Sequence, residues 1–218
     1  PSAAAESALL CLEKGDLEGA TQHIDAASIR GEGAIVSYVR GNIAANQGHL
    51  KTAQSHFNEA IEMDPTHVRA RLNRTSIHMA SGNAQGALDD ANILLELAPG
   101  LALAQLRRAE ANMMLSNWDE AKGDLEQIVE AAPHHHHALT QLAACYISME
   151  RPEKAEVPLN EALRLAPDHT DAWHQRGLLY LDWGREEAAL NDFEAAVRCD
   201  GNHLDARLHI AAIHHEAG

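Results

Sequence analysis

The sequence contains few aromatic side chains, few cysteines, few basic residues and no long apolar run. Phe, Trp and Tyr make up 4% of the 218 residues, whereas apolar residues make up 45%, so a core must be built mainly from small side chains. No apolar run approaches the roughly 18 residues that a membrane-spanning helix needs, and no positively charged leader precedes an apolar stretch. We therefore expect no membrane span, and a cytoplasmic location is favoured.

Cysteine is represented only by Cys11, Cys145 and Cys199. An odd number of widely spaced cysteines does not resemble a disulfide framework or a CxxC metal-binding motif. We expect the three thiols to act as small buried apolar groups.

Basic residues are outnumbered by acidic residues, 17 to 32, which gives a formal net charge of −15. Because this field repels phosphate backbones, we expect no nucleic-acid partner. The charge favours a protein partner with a basic surface; the alternative is that it serves only solubility.

The dominant feature is an internal repeat of 34 residues. Prolines, alanines and a further small residue each recur with this period, which indicates stacked copies of one supersecondary unit. The prolines are Pro65, Pro99, Pro133 and Pro167, continued by Gly31 and Gly201. The alanines are Ala20, Ala53, Ala87, Ala121, Ala155 and Ala189, and the further small residues are Gly41, Thr75, Ala109, Ala143, Gly177 and Ala211.

One period, residues 170–203, predicts two helices joined by a turn. Trp173, Gly177 and Tyr180 are spaced four and three residues apart, which puts them on one face of a first helix. Gly184 suits the end of that helix, and a second helix follows before a proline or glycine ends it. Glycine recurs at this turn as Gly15, Gly48 and Gly82.

This pattern resembles the tetratricopeptide repeat, W-x2-L-G-x2-Y followed by A-x3-F and P. In residues 170–203 the matching residues are Trp173, Gly177, Tyr180, Ala189 and Phe193, with Arg176 in place of Leu and Gly201 in place of Pro. His78 and Asn112 replace the usual Tyr in two weaker repeats. The resemblance implies an all-α protein, an α-solenoid of about 13 helices whose antiparallel pairs stack into a right-handed superhelix.

We expect residues 1–218 to form one array. The repeats are 1–33, 34–67, 68–101, 102–135, 136–169 and 170–203, followed by a half repeat, 204–218. Since solenoids need a polar capping element, the half repeat is either that cap or the point at which the array is interrupted. The start at Pro1 predicts a chain that is processed or cut from a longer protein, and the end at the turn residue Gly218 favours a parent chain that continues beyond it.

Arginine at the seventh repeat position occurs together with aspartate sixteen residues later. We expect ion pairs between the two helices of a repeat, which fix geometry more than they add stability. The predicted pairs are Arg74–Asp90, Arg108–Asp124 and Arg176–Asp192. In the fifth repeat Leu142 and Pro158 stand at these positions, and Pro158 is expected to bend or loosen its helix.

Histidine is abundant, with 15 residues and a run from His134 to His137. One histidine precedes each of several repeats, as His67, His135, His169 and His203. Because packed helices lie 8–10 Å apart, histidines one repeat apart are too distant to share a zinc ion, so we expect no functional metal site. Protonation of all the histidines would balance the acidic charge, which predicts lower solubility near pH 5.

The resemblance implies that a partner binds in the concave groove lined by the first helices. The residues at the lining positions are Tyr38, Asn42, Arg69, Asn73, Ser76, Arg107, Glu110, Met113, Gln141, Asp171 and His174. Asn42, Asn73 and Arg107 also match three of the five positions with which chaperone-binding members clamp a peptide carboxylate. Tyr38 and Leu103 replace the two lysines of that clamp, which removes most of its attraction for a carboxylate.

We expect a protein-interaction scaffold that binds a partner peptide or domain. One alternative is a recruiting or regulatory domain of a larger enzyme or chaperone, and another is a scaffold that self-assembles into homo-oligomers through its array ends. The sequence contains no nucleophile elbow, P-loop, HExxH or dinucleotide-binding motif, so we expect no catalytic residues and no cofactor.

Overall fold

The computed structural model describes residues 3–29 and 33–216 of the chain; Pro1, Gly31 and Gly218 lie outside these ranges. The described residues form 13 α-helices, one 3-10 turn at Pro152–Lys154 and no strand. The helices are α1 Ala3–Glu13, α2 Leu17–Ile29, α3 Gly33–Asn46, α4 Leu50–Met63, α5 Val68–Ala80, α6 Ala84–Leu97, α7 Ala102–Met114, α8 Trp118–Ala131, α9 His136–Ser148, α10 Glu156–Leu165, α11 Thr170–Asp182, α12 Glu186–Cys199 and α13 Leu204–Glu216. None of them is long and apolar enough to cross a membrane.

The chain divides into two compact units, Pro1–Ala111 and Asn112–Gly218. In each unit the helices pack as consecutive pairs, as the repeat predicts, and the odd-numbered helices are the first helices of their repeats. This arrangement confirms the all-α solenoid fold.

Small residues at the repeat positions allow the two helices of a pair to approach closely. The six periodic alanines, from Ala20 to Ala189, are each 0% exposed. Phe57 and Phe193 are also fully buried, and each ring lies against a glycine of the first helix, Gly41 or Gly177. A β-carbon on Gly177 would lie 2.7 Å from Phe193 Cε1, so glycine is required there by packing.

The turn between the helices of a repeat uses the left-handed backbone conformation. Gly15, Gly48, Gly82 and Gly184 have φ values between 68° and 76°, as expected for glycine at a helix end. Two repeats place other residues in the same conformation, Ser116 with φ 61° and Glu150 with φ 59°. A side chain at this position crowds the backbone, so these two turns are locally strained.

The predicted ion pairs Arg74–Asp90 and Arg176–Asp192 are present. Arg176 donates from Nε to Asp192 Oδ2 at 2.7 Å and from Nη2 to Asp192 Oδ1 at 2.8 Å. Arg74 makes the same two bonds to Asp90, at 2.8 and 2.6 Å. The pair Arg108–Asp124 stays a prediction.

A second arginine completes the network around Asp90. Arg71 is 5% exposed and donates to Asp90 Oδ1 at 3.1 Å and to the Pro65 carbonyl at 3.0 Å. Trp173 stands at the same repeat position in the sixth repeat, and its indole N–H donates to the Pro167 carbonyl at 2.8 Å. The carbonyls of Pro65 and Pro167, which stand at equivalent repeat positions, are therefore satisfied by different side chains, Arg71 and Trp173.

Three of the four periodic histidines cap first helices, whereas the side chain of His169 makes no capping hydrogen bond. The Nδ1 atoms of His67, His135 and His203 accept hydrogen bonds from the backbone N–H groups of Ala70, Ala138 and Ala206, at 3.1 to 3.2 Å. These bonds satisfy N–H groups that have no partner within the helix. A structural role therefore accounts for this recurrence.

The fifth repeat differs from the expectation for Pro158. Its second helix is split into the 3-10 turn at Pro152–Lys154 and a 10-residue helix, α10, whereas α12 has 14 residues. Pro158 is the third residue of α10, where a backbone N–H has no intrahelical acceptor. The second helix of this repeat is therefore interrupted before Pro158.

The cysteines were expected to be buried, and this expectation is wrong for Cys199. Cys145 is buried, Cys11 is half-buried and Cys199 is exposed at the end of α12. The last turn of a helix presents side chains to solvent where no neighbouring element covers it. The residue type of Cys199 does not indicate that its side chain is exposed.

Candidate interaction surface

The first unit contains a cavity of about 450 Å³ that is lined only by first helices. Four of the predicted groove residues meet there, which are Tyr38, Asn42, Arg69 and Asn73. The remaining lining residues are Leu9, Leu12, Glu13 and Asn46. Helices α1, α3 and α5 therefore contribute one continuous surface.

Asparagines dominate the polar side of this cavity. Asn73 donates from Nδ2 to Asn42 Oδ1 at 2.6 Å, and Asn46 donates to the Asn42 carbonyl at 2.9 Å. Arg69 is exposed and forms no ion pair or hydrogen bond with the described residues. The cavity thus offers amide groups and one unneutralised cation, although Glu13 contributes an opposing carboxylate.

Tyr38 contributes less surface than its groove position suggested. It is 7% exposed, and its ring packs 4.9 Å from the ring of His67 and 6.3 Å from that of Phe57, between centroids. Most of this side chain therefore belongs to the core.

Three other predicted groove residues of the first unit do not line the cavity. The Ser76 hydroxyl donates to the Leu72 carbonyl of its own helix at 3.3 Å. Arg107 donates to Glu110 at 2.6 Å, so its charge is neutralised within α7. This ion pair further weakens the resemblance to a carboxylate clamp, in which Arg107 would have to bind the ligand.

The second unit contains a cavity of about 650 Å³ between α9 and α11. Its lining residues are Ala144, Ile147 and Ser148 of α9, Glu150 and Pro152 of the following turn, and Gln175, Leu178, Leu179 and Asp182 of α11. We name it the α9–α11 cavity. Its lining is mainly apolar and contains no lysine, arginine or histidine.

The polar groups of the α9–α11 cavity are acidic or lack partners. Glu150 and Asp182 are exposed, and their carboxylates form no ion pair or hydrogen bond with the described residues. Gln175 Oε1 is buried and has no hydrogen-bond partner among the described residues. A buried acceptor without a donor is unfavourable, and a ligand N–H would satisfy it only if the Gln175 side chain rotated toward the cavity.

The predicted groove residues of the second unit, Met113, Gln141, Asp171 and His174, do not line this cavity. Gln141 hydrogen-bonds His137 at 2.8 Å, between the Nε2 atoms. His174 packs against other rings, with centroids 4.7 Å from His203 and 5.6 Å from His209. In this unit histidines occupy the beginning of α9 and immediately precede α11 and α13, and the α9–α11 cavity lies nearer the ends of α9 and α11.

Sequence reasoning missed Ile147, Gln175 and Leu178. These residues stand at the twelfth, sixth and ninth repeat positions, which belong to the groove positions of the family. The signal was therefore available, but a preference for polar candidates passed over it.

Burial and, to a lesser extent, neighbouring histidines lower the pKa of two histidines in the second unit. Burial lowers the pKa of His174, and the neighbouring His203 and His209 lower it further. Burial also lowers the pKa of His169, with a contribution from His136. The Nε2 atoms of His169 and His174 are buried without a hydrogen-bond partner, so neither has an acceptor ready for a second proton.

Metal binding finds no support in the described part of the chain. It contains no group of three or more His, Cys, Asp or Glu residues that could hold a metal ion. The rings of His136 and His169 lie 5.0 Å apart, edge to face, as packed side chains.

Family comparisons identify the repeats independently. Three family models described as tetratricopeptide repeat match residues 38–102, 112–177 and 170–203. Together these matches cover more than half of the chain. No curated protein sequence matches it.

Solved structures share the fold at low sequence identity. The chain is similar to pilF of Pseudomonas aeruginosa, with a TM-score of 0.79 and 13% identity over 96% of each chain. A tetratricopeptide repeat protein from Parabacteroides merdae has a TM-score of 0.71 and 18% identity, over 96% of this chain and 82% of the other. YrrB, described as a TPR protein with an unusual peptide-binding site, has a TM-score of 0.64 and 19% identity, over 84% and 94% respectively.

Proposed function

Because the chain belongs to the tetratricopeptide repeat family, we propose that it is a protein-interaction scaffold that binds peptide segments along its first helices. The observation that carries this proposal is the position of the two cavities. One is lined only by α1, α3 and α5, and the other lies between α9 and α11. Preformed cavities on rigid helices reduce the entropy lost when a peptide binds.

The chemistry of the first cavity suits a polar peptide backbone. Asn42, Asn46 and Asn73 offer amide groups that both donate and accept hydrogen bonds. Arg69 adds a cation that can bind a peptide carbonyl or carboxylate. YrrB, which has this fold, is described as having a peptide-binding site, and this supports the same class of ligand here.

We propose binding and not catalysis for these surfaces. Neither cavity lining contains a histidine, the commonest general acid–base residue, and the Ser148 hydroxyl hydrogen-bonds no described residue that could act as its base. A recruiting role within a larger enzyme or chaperone is compatible with the same surfaces, since recruitment also requires a peptide groove.

The test is a pull-down with the immobilised chain and its variants. Asn42→Ala with Asn73→Ala should remove a bound protein that the wild-type chain retains, because the first cavity then loses two amide groups. Ser76→Ala is the control, since Ser76 is exposed on α5 and its hydroxyl bonds only its own helix. Retention of every bound protein by the double variant would overturn binding in this cavity.

A further inference from the structure

Glu150 occupies a turn at which glycine would be the favoured residue. The equivalent turns contain Gly15, Gly48, Gly82 and Gly184, all with positive φ. Glu150 adopts the same conformation at φ 59°, where its β-carbon crowds the backbone. Strained residues are more frequent at functional sites than elsewhere, and Glu150 differs from the equally strained Ser116 in that its side chain lines a cavity.

The Glu150 side chain lines the α9–α11 cavity together with Asp182. Both residues are exposed, and neither carboxylate has a cationic partner among the described residues. The two charges therefore lie beside an apolar surface formed by Ile147, Leu178 and Leu179. Carboxylates next to an apolar cavity complement a ligand that is apolar in one part and cationic in another.

Three properties of the site define the ligand. The volume of about 650 Å³ accommodates several side chains of a peptide. Gln175 Oε1 is buried without a donor among the described residues, and rotation of this partly exposed side chain would present it to a peptide N–H. The net charge of −15 attracts cationic segments over longer distances.

We propose that the α9–α11 cavity binds a protein segment that carries apolar side chains flanked by lysine or arginine, and that Glu150 is retained in its strained turn to select the cation. This inference rests on the proposed scaffold function and adds the chemistry of the partner. Leu178 and Ile147 contact the apolar side chains. Glu150 and Asp182 pair with the flanking cations.

The decisive variant is Glu150→Gly. Relief of backbone strain should maintain or raise its melting temperature, whereas loss of the carboxylate should weaken peptide binding. Glycine relieves the left-handed backbone, so the melting temperature should rise or stay unchanged. Loss of one exposed ion pair should weaken the binding of a cationic peptide about two- to fivefold. Reduced affinity in a variant of undiminished stability cannot be attributed to unfolding.

Ser116→Gly is the matched control. Ser116 has φ 61° in the preceding turn, so its substitution relieves the same strain. Ser116 does not line the α9–α11 cavity, and the substitution changes no charge. Its peptide affinity should equal that of the wild-type chain.

The probes are three labelled peptides with blocked ends, measured by fluorescence anisotropy. The first contains Lys-Leu-Leu-Lys, the second Glu-Leu-Leu-Glu and the third Lys-Ala-Ala-Lys. The first should bind most tightly, and its advantage over the second should fall at about 1 M salt, where the screening length is about 3 Å. Glu150→Gly should reduce this advantage, and Leu178→Asp should abolish binding of the first peptide.

Several outcomes would overturn the proposal. These are equal binding of the lysine and glutamate peptides, no binding of any peptide, or unchanged affinity in Glu150→Gly. A second copy of the chain as occupant would appear as concentration-dependent dimerisation that the lysine peptide does not displace, and this also overturns it. The pull-down with the Asn42 and Asn73 variants tests the scaffold function separately, through the other unit.

Discussion

The guanidinium of Arg176 joins two repeats, because it binds Asp192 through Nε and Nη2 and also donates from Nη1 to Asn160 Oδ1 at 2.6 Å. Asp192 lies on the second helix of the same repeat, whereas Asn160 lies on the second helix of the preceding one. Arg74 forms the same bridge, with Asp90 and with Asn58 at 2.8 Å. Each arginine therefore fixes the pairing of the two helices within its own repeat. It also fixes the stacking of that repeat on the preceding one.

Replacing Asp192 with Ala should destabilise the second unit by about 3–5 kcal/mol. The Asp192 side chain is 5% exposed and that of Arg176 is 17% exposed, so the substitution leaves a largely buried cation without its carboxylate. Chemical denaturation monitored by circular dichroism measures the change in the free energy of unfolding.

The double variant Arg176→Leu with Asp192→Ala is the control for this ion pair. It should lose less stability than Asp192→Ala alone, because no unpaired charge stays behind. The fifth repeat supports this expectation, since Leu142 and Pro158 replace the pair there and both are buried. If the double variant loses as much stability as the two single variants lose together, the assignment of an interacting pair is refuted.

Replacing Gly177 with Ala should cost about 1–3 kcal/mol, the usual effect of overpacking a core. The added β-carbon would lie 2.7 Å from Phe193 Cε1, and the fully buried ring has no free space to move into. Thermal unfolding of the variant should show a lower midpoint than that of the wild-type chain.

Gly123→Ala provides the opposite expectation within the same unit. Gly123 lies inside α8, and a β-carbon there meets no atom within 4 Å. Alanine should therefore stabilise the helix by about 1 kcal/mol through its higher helix propensity. If Gly177→Ala and Gly123→Ala change the midpoint of thermal unfolding in the same way, close packing against Phe193 is not the reason for glycine at position 177.

The repeat period made the fold predictable because helices, turn glycines and the Arg–Asp pairs recur at fixed spacing within one repeat. Asn58 and Asn160 were missed because they contact an arginine of the following repeat, and their spacing was not compared across repeats. Most of the residues that line the α9–α11 cavity stand at groove positions of the repeat, but the cavity itself could not be predicted from those positions. The shape of the cavity depends on how Ile147, Gln175 and Leu178 pack and on the turn conformation at Glu150. Residue propensity alone would predict a glycine at that turn.

Cysteine labelling should separate the buried thiol from the exposed one. Burial raises the pKa of Cys145 to about 11, and the side chain is 0% exposed, so little thiolate is present or reachable at neutral pH. Cys199 is exposed and should react first with iodoacetamide, as located by mass spectrometry. Cys199→Ser should remove the fast reaction, and rapid labelling of Cys145 in the native chain would contradict the packing of α9.

The second unit should lose stability as the pH falls below about 6.5. The folded-state pKa values of His169 and His174 are lowered, first by burial and then by neighbouring histidines. Near the unfolded value of about 6.5 the unfolded chain therefore binds more protons than the folded chain, so acidification favours unfolding. Stability from these groups is complete above this pH and decreases progressively below it.

Melting curves at several pH values between about 7.5 and 5.5 measure this dependence, which spans the unfolded histidine pKa. The double variant His169→Gln with His174→Gln should melt with a weaker pH dependence, because it removes the two groups that resist protonation in the folded state. His214→Gln is the matched control, since His214 is exposed on α13 and its removal should leave the pH dependence unchanged. The same lowered pKa values, with that of His78, shift the pH at which charges balance in the folded chain below the value expected from the histidine count. The solubility minimum should therefore lie at a lower pH than the histidine count alone predicts.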